Sequence, residues 1–244
     1  MAMKLVAADI GGTHARFAIA TIGAGGAITL SAPVTLRTAS YPDLPTAWQA
    51  FRARLGTPLP SAAATAIAAP PQGDVIQMTN HDWVIDRRTL AARLGVAQLC
   101  MLNDFEAVAH AVARVPSHQL VPIAGPNIRF PATGVITVVG PGTGLGTAQL
   151  LRGPGMYHAQ PSEGGHVDFG PVDTIDDAIL AHLRKRYLRV STERVVSGAG
   201  LIAIYETLAS LEGVKAEPCD APTLCERALS GKDKLASAAV DRFC

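Results

Sequence analysis

Four cysteines, Cys100, Cys219, Cys225 and Cys244, are scattered along 244 residues with no C-x-x-C pair and no histidine at ligand spacing beside them. That excludes a disulfide framework or a zinc ribbon, and the thiols read as reduced, as in the cytoplasm. Charge of one sign is also missing. Lys and Arg number 21 against 20 Asp and Glu, a net charge of +1, and no basic block is present to follow a nucleic-acid backbone. No apolar run approaches the ~18 residues of a membrane-spanning helix, and the densest, residues 62–69, ends at Pro70 and Pro71. The first residues carry Lys4 and then Asp9 within their apolar stretch, which breaks the apolar core that a secretory signal needs. Disorder is not supported either, because 48% of residues are hydrophobic and only 17% charged. The expectation is a cytoplasmic globular protein of one or two domains, with no nucleic-acid or membrane partner.

What is present is a succession of strands and helices punctuated by glycine and proline. Residues 4–9 read as a buried strand that stops at Gly11-Gly12. Residues 14–21 read as a second, with Ala15, Phe17 and Ile19 alternating against His14 and Arg16. The pair forms a hairpin whose two glycines are expected at positive φ. A third strand near residues 27–30 follows a turn at 23–26. Ala47, Trp48, Phe51 and Leu55 recur at helical spacing before a stop at Gly56. Residues 64–69 and 74–78 are strand candidates, Asp86 caps a short helix that Gly95 stops, residues 97–102 form a strand and 105–113 a helix. Pro116, Pro122, Pro126 and Pro131 then crowd one stretch, which reads as a linker between a domain of residues 1–113 and one of 114–244. In the second, a strand at 134–139 enters the glycine-rich run 140–146, a strand resumes at 147–151, and helices are expected at 174–187, 201–211, 222–230 and from 233 on. The last helix meets Cys244 without a glycine stop or polar tail, so the chain reads as cut rather than finished. The order of elements gives an α/β class with an early antiparallel hairpin.

Chemistry concentrates in a few places. Asp9-Ile10-Gly11-Gly12-Thr13 and residues 140–146 each follow a strand with glycine-rich backbone, and consecutive N–H groups in such a loop can converge on a phosphate. Either loop alone could be a tight turn. Gly140, Gly142 and Gly144 step by two, so the dinucleotide fingerprint fails, and Gly231-Lys232 followed by Asp233 is no Walker loop. Asp104 follows a strand and opens a helix, where it can take a proton from a substrate hydroxyl or simply cap the helix. In Ser162-Glu163-Gly164-Gly165-His166-Val167-Asp168, Glu163 and His166 form a donor and acceptor pair that suits sugar hydroxyls, unless the segment is simply a polar β-turn. His166 and Asp168 would share a strand face, so a metal is conceivable, but no third ligand has the spacing and no protein-held metal is expected. Glu193 starts Glu193-Arg194-Val195-Val196-Ser197-Gly198 and, alone, reads as a solvated charge.

Five segments in this order, residues 8–13, 102–105, 140–146, 162–169 and 193–198, resemble the bacterial glucokinase family of the hexokinase and actin-like ATPase superfamily. The resemblance implies a two-domain actin/hexokinase-like (ribonuclease H-like) α/β fold with its second domain incomplete. It implies ATP-dependent phosphorylation of glucose at the 6-hydroxyl, giving glucose 6-phosphate. Ala8, Asp9, Ile10, Gly11, Gly12 and Thr13 would form the first phosphate loop, and Gly142, Thr143 and Gly144 the second. Asn103, Asp104, Glu163, His166 and Glu193 would hold glucose, with Asp104 as general base. Mg²⁺ would be bound through the nucleotide phosphates, and family members are commonly homodimers. The sequence departs from the family at His14, usually Asn, and at Ala199, commonly Pro. The family's last quarter, with its adenosine-binding glycine pair, does not appear. That gap gives the resemblance an alternative, a catalytically silent sugar-binding or regulatory protein.

Overall fold

The first unit grows from a hairpin in which Met3–Ile10 (β1) and His14–Ile22 (β2) pair antiparallel, Ile10 opposite Ala15 and Asp9 opposite Arg16. The computed structural model describes residues 2–69, 73–78, 81–125 and 130–244, so Pro70, Pro71 and Pro126 lie outside the described residues. Ile28–Leu30 (β3) and Val34–Arg37 (β4) extend the sheet on the β2 side. Ala62–Ile67 (β5) adds parallel to β1; after the hairpin of Val75–Gln77 (β6) and Val84–Asp86 (β7), Gln98–Asn103 (β8) adds parallel to β5. The sheet order is β3–β2–β1–β5–β8, with β4 also on β2. Helices α1 (Leu44–Leu55), α2 (Arg87–Leu94) and α3 (Asp104–Val112) complete the unit.

Period-two alternation sends Val6, Ala8 and Ile10 of β1 into the core with Phe17, Trp48, Phe51 and Leu90. Three aromatic rings meet there, Phe17 stacked on Phe51 at 5.1 Å and edge-on to Trp48 at 6.0 Å. Each buried ring of this size contributes on the order of 1.5–3 kcal/mol over its exposed state. The other sheet face, with Ala7, Ala64, Ala66, Leu102 and Ala107 of α3, borders a hollow of about 340 Å³.

Close contacts divide the chain after Val115. From Pro116 on, the second unit carries the antiparallel sheet β11–β10–β9, made of Gly134–Pro141 (β9), Leu145–Gly153 (β10) and Met156–Ser162 (β11). Helices α4 (Thr174–Arg184), α5 (Gly198–Leu211), α6 (Ala221–Leu229) and α7 (Lys234–Phe243) bury Ile179, Leu183, Ile204, Leu224, Ala236 and Ala239 among themselves.

Helix starts follow short polar side chains: Asp43, Asp86, Asn103, Asp173, Ser197, Asp220 and Asp233 each accept a backbone N–H of the first turn. Gly56 and Gly95 end α1 and α2 in the left-handed region, as their place in the sequence predicts. Four expectations need correction. Neither Gly11 nor Gly12 has a positive φ. Strands β4 and β7 escape the pattern because each buries a single residue, Leu36 or Ile85. Strand β11 escapes it because His158, Gln160 and Pro161 dilute the alternation, which an edge strand tolerates. Helix α4 stops at Arg184 rather than Tyr187.

Arg242 of α7 reaches across to α4, donating to Asp176 from Nη2 at 2.6 Å and from Nε at 3.0 Å, and to the cap residue Asp173. The Arg242 hydrogen bond, followed by the helix N–H groups, holds the Asp173 carboxyl at about 2, below its ordinary 3.8. A carboxyl lowered on folding stabilises the fold above its unfolded value and loses that contribution as pH falls through the folded one. Resistance to urea should therefore decline from pH 3.8 down to about 2. Arg242→Met should lower the midpoint near neutrality and flatten that acid decline; a decline as steep in the variant as in the parent chain would refute the linkage.

Candidate functional site

Strands β1, β5 and β8 run the same way, and their register puts Ile10, Ile67 and Asn103 in one line across the sheet. Neighbouring strands are about 4.8 Å apart, so the turn after β1 and the residues after β8 share one edge about 10 Å from each other. In α/β sheets ligands bind at this carboxyl edge. Ala8 and Ile10 point into the core and can offer a ligand only backbone. Asp9 faces the other way, half-exposed, in an ion pair with Arg16 at 2.9 Å.

The turn is held by a residue that the sequence did not single out. Thr38, fully buried, donates its hydroxyl to the Gly12 carbonyl at 2.5 Å and its N–H to the Thr13 carbonyl at 3.1 Å. A trans peptide places its N–H opposite its C=O, so the N–H groups of Thr13 and His14 point away from Thr38. Thr38 lies 26 residues from Gly12, so no local pattern could have linked them.

At the end of β8 the cap is Asn103, not Asp104. Asn103 Oδ1 accepts the N–H groups of Phe105 at 2.9 Å and Glu106 at 3.2 Å, and Glu106 accepts the Asn103 N–H in return. Asn103 Nδ2 donates to the Ala69 carbonyl at 3.4 Å. Asp104 is thereby released from capping and becomes the first residue of α3, partly exposed, its carboxylate accepting its neighbour's N–H at 2.8 Å.

In the second unit Glu163, His166 and Glu193 come together. His166 lies between the two carboxylates, Nε2 at 3.4 Å from Glu163 and Nδ1 at 3.9 Å from Glu193. Residues 164–166 form a 3-10 turn rather than a strand face, which separates His166 from Asp168. Asp168 instead pairs with Arg189 at 2.5 Å, and Arg189 also holds the His166 carbonyl at 2.8 Å. Thr147 Oγ1 accepts the Gly164 N–H at 3.0 Å, and a Cβ on Gly165 would collide with the Leu145 carbonyl, so this turn packs directly on β10. The 142–144 turn joins β9 to β10, with the Gly142 N–H on the Gly144 carbonyl at 2.8 Å. The Gly142 carbonyl is taken by the N–H of Gly198 at 2.9 Å, which turns the Thr143 N–H the other way, to the exposed side.

Among the described residues no group of three or more His, Cys, Asp and Glu side chains is arranged to hold a metal ion. A single half-exposed carboxylate such as Asp9 fits a hydrated divalent cation that draws its other ligands from phosphate and water. The outward amides of the two turns fit an anion in the way phosphate loops do.

The glucokinase family model matches residues 6–244 of this chain. A glucokinase of Zymomonas mobilis subsp. mobilis is 51% identical over 242 residues, 99% of this chain and 75% of that protein. A glucokinase of Campylobacter jejuni subsp. doylei is 39% identical, over 97% of this chain and 70% of its own length. Among solved structures, a glucokinase from an Antarctic psychrotroph superposes with a TM-score of 0.79 at 31% identity, covering 99% of this chain and 75% of that one. The chain thus spans about three-quarters of the length of each of these proteins.

Thr38→Val keeps the shape of the side chain and leaves the Gly12 carbonyl without its buried donor. It should destabilise the chain by about 1 kcal/mol and weaken nucleotide binding. Denaturant midpoints and calorimetry with ATP would check both, and a variant that matches the parent chain in each would remove Thr38 from the loop's support.

Proposed function

This chain belongs to the glucokinase family, and on that footing we propose that it transfers the γ-phosphoryl group of ATP to the 6-hydroxyl of glucose, giving glucose 6-phosphate. The match over residues 6–244 carries the reading. The actin-like α/β fold goes with it, since the psychrotroph glucokinase covers nearly the whole chain. The four free cysteines suit a cytoplasmic setting, and a homodimer belongs to the same proposal.

The site residues take roles that their chemistry allows. Glu163, His166 and Glu193 supply carboxylate acceptors and an imidazole to sugar hydroxyls, and Asn103 carries an amide of the kind that binds them. Asp104, the first residue of α3, accepts the proton of the 6-hydroxyl as that oxygen takes the phosphoryl group. The amides of Thr13 and His14 at the first turn, and of Thr143 at the second, receive phosphate oxygens; Ala8, Ile10, Gly11, Gly12, Gly142 and Gly144 shape the backbone that presents them. Asp9 would hold a Mg²⁺ ion, which screens phosphate charge when bound. Phosphoryl transfer relies chiefly on such positioning and charge compensation, so no covalent intermediate on the protein is needed.

Asp104→Ala should cut kcat by ~10²–10⁴-fold, the usual effect of removing a general base. A coupled assay of glucose 6-phosphate formation measures it. The fold survives the change because Asn103, not Asp104, provides the cap. Undiminished turnover in the variant would take the role away from this carboxylate.

A further inference from the structure

If Glu163, His166 and Glu193 are the sugar's ligands, Glu193 also serves a second purpose. We propose that it is a positioning residue for the 142–144 turn, one carboxylate joining the sugar site to the second phosphate loop. Its two oxygens face different partners. Oε2 accepts the N–H of Leu145, the first residue after the turn, at 3.1 Å, and Oε1 lies toward His166 Nδ1 at 3.9 Å. The opposite shoulder of the turn is held by the same stretch of chain, because the Gly142 carbonyl accepts the N–H of Gly198 at 2.9 Å. Glu193 stands in the 3-10 turn Thr192–Arg194 and Gly198 opens α5, so residues 193–198 grip the turn at both ends.

Packing gives an independent sign of the same joint. A Cβ on Gly144 would fall onto the Glu193 carboxylate, 3.0 Å from Cδ, so any side chain there would push this carboxylate from its place. Exposure separates the three polar residues as well. The Glu193 side chain is 24% exposed against 63% for Glu163 and 53% for His166, so it is the one that is held while still open to a ligand. A hydroxyl donated to Oε1 fixes the plane of the carboxylate, and with it the hydrogen bond from Leu145, a charge-assisted bond stronger than a neutral one. Sugar and phosphate loop are thus coupled through one group, and such coupling is reciprocal.

Amide hydrogen exchange of the full chain, followed by NMR, tests this without relying on turnover. Glu193→Ala should speed exchange at Leu145 about tenfold or more, the effect of losing one charge-assisted bond; Glu193→Gln, which keeps an oxygen acceptor at the same reach, should do so much less. Leu150, in the middle of β10, serves as reference and should not change. Glucose at saturation should slow Leu145 exchange in the parent chain and not in Glu193→Ala. Gly144→Ala, which displaces the carboxylate without touching its charge, should weaken glucose binding about tenfold by calorimetry. Equal Leu145 exchange in the parent chain and Glu193→Ala would overturn the proposal, as would Leu150 rising in step with Leu145, or glucose binding that leaves Leu145 unaffected. A parent chain that binds no glucose would overturn the reading of the sugar site, while exchange in the free variants still decides whether Glu193 positions the turn.

Discussion

Three neighbouring strands that run the same way must end at the same edge. In the first unit that constraint brings the Gly11–Gly12 turn and the Asn103–Asp104 pair to one side of the sheet, Ile10, Ile67 and Asn103 in line. The register is not free to drift. Val6, Ala8 and Ile10 are buried while Asp9 is exposed, and a slip of one residue would exchange the two sets. It would bury the Asp9 carboxylate and expose Ile10, and a buried unpaired charge costs far more than a ladder hydrogen bond returns. The core that holds Phe17 against Phe51 and Trp48 therefore also fixes where the turn and the carboxylate stand.

The second unit solves the same problem differently. Its sheet is an antiparallel meander, so strand direction alone brings nothing together. Its polar residues lie on three separate pieces of chain: the 142–144 turn, the 3-10 turn after β11, and the segment leading into α5. They meet because small residues let backbone approach backbone. Gly165 rests on the Leu145 carbonyl, and Gly200 lies where a Cβ would strike the Val195 carbonyl. Thr147 and Arg189 then tie the 3-10 turn in place from two sides, through the Gly164 N–H and the His166 carbonyl.

Legibility in the sequence follows from range. Elements set by local rules could be read directly: the helix from Asp86 to Gly95 begins and ends where its cap and stop predict, and the β1–β2 hairpin falls where alternation puts it. The pairing of Glu163 with His166 was legible because it spans three residues. Thr38 was not, because its partner lies 26 positions away and threonine after a strand carries no distinguishing pattern. The cap at α3 falls on the other member of Asn103-Asp104 than the sequence suggests, since both types cap well and only the backbone decides which one stands outside the helix. The glycines of the first turn are expected at positive φ from their identity; the hairpin there avoids it, and the turn is supported instead by Thr38.

A division of labour between neutral and charged interactions runs through both units. The bonds that fix the turns are largely backbone or buried hydroxyl bonds, Thr38 to Gly12 and Gly198 to Gly142, which keep their geometry whatever the salt or pH. The charged pairs beside them are exposed, Asp9 with Arg16 at 51% and 52%, Asp168 with Arg189 at 73% and 62%. Exposed pairs contribute only ~0–1 kcal/mol, so either can open at little cost to the fold. Glu193 is the exception, a carboxylate enlisted to hold a turn while facing the cluster that would bind sugar. Phosphoryl transfer needs a scaffold that does not shift when charge arrives, and charges that can change partners when it does; placing rigidity in neutral bonds and exchangeability in exposed ions satisfies both demands.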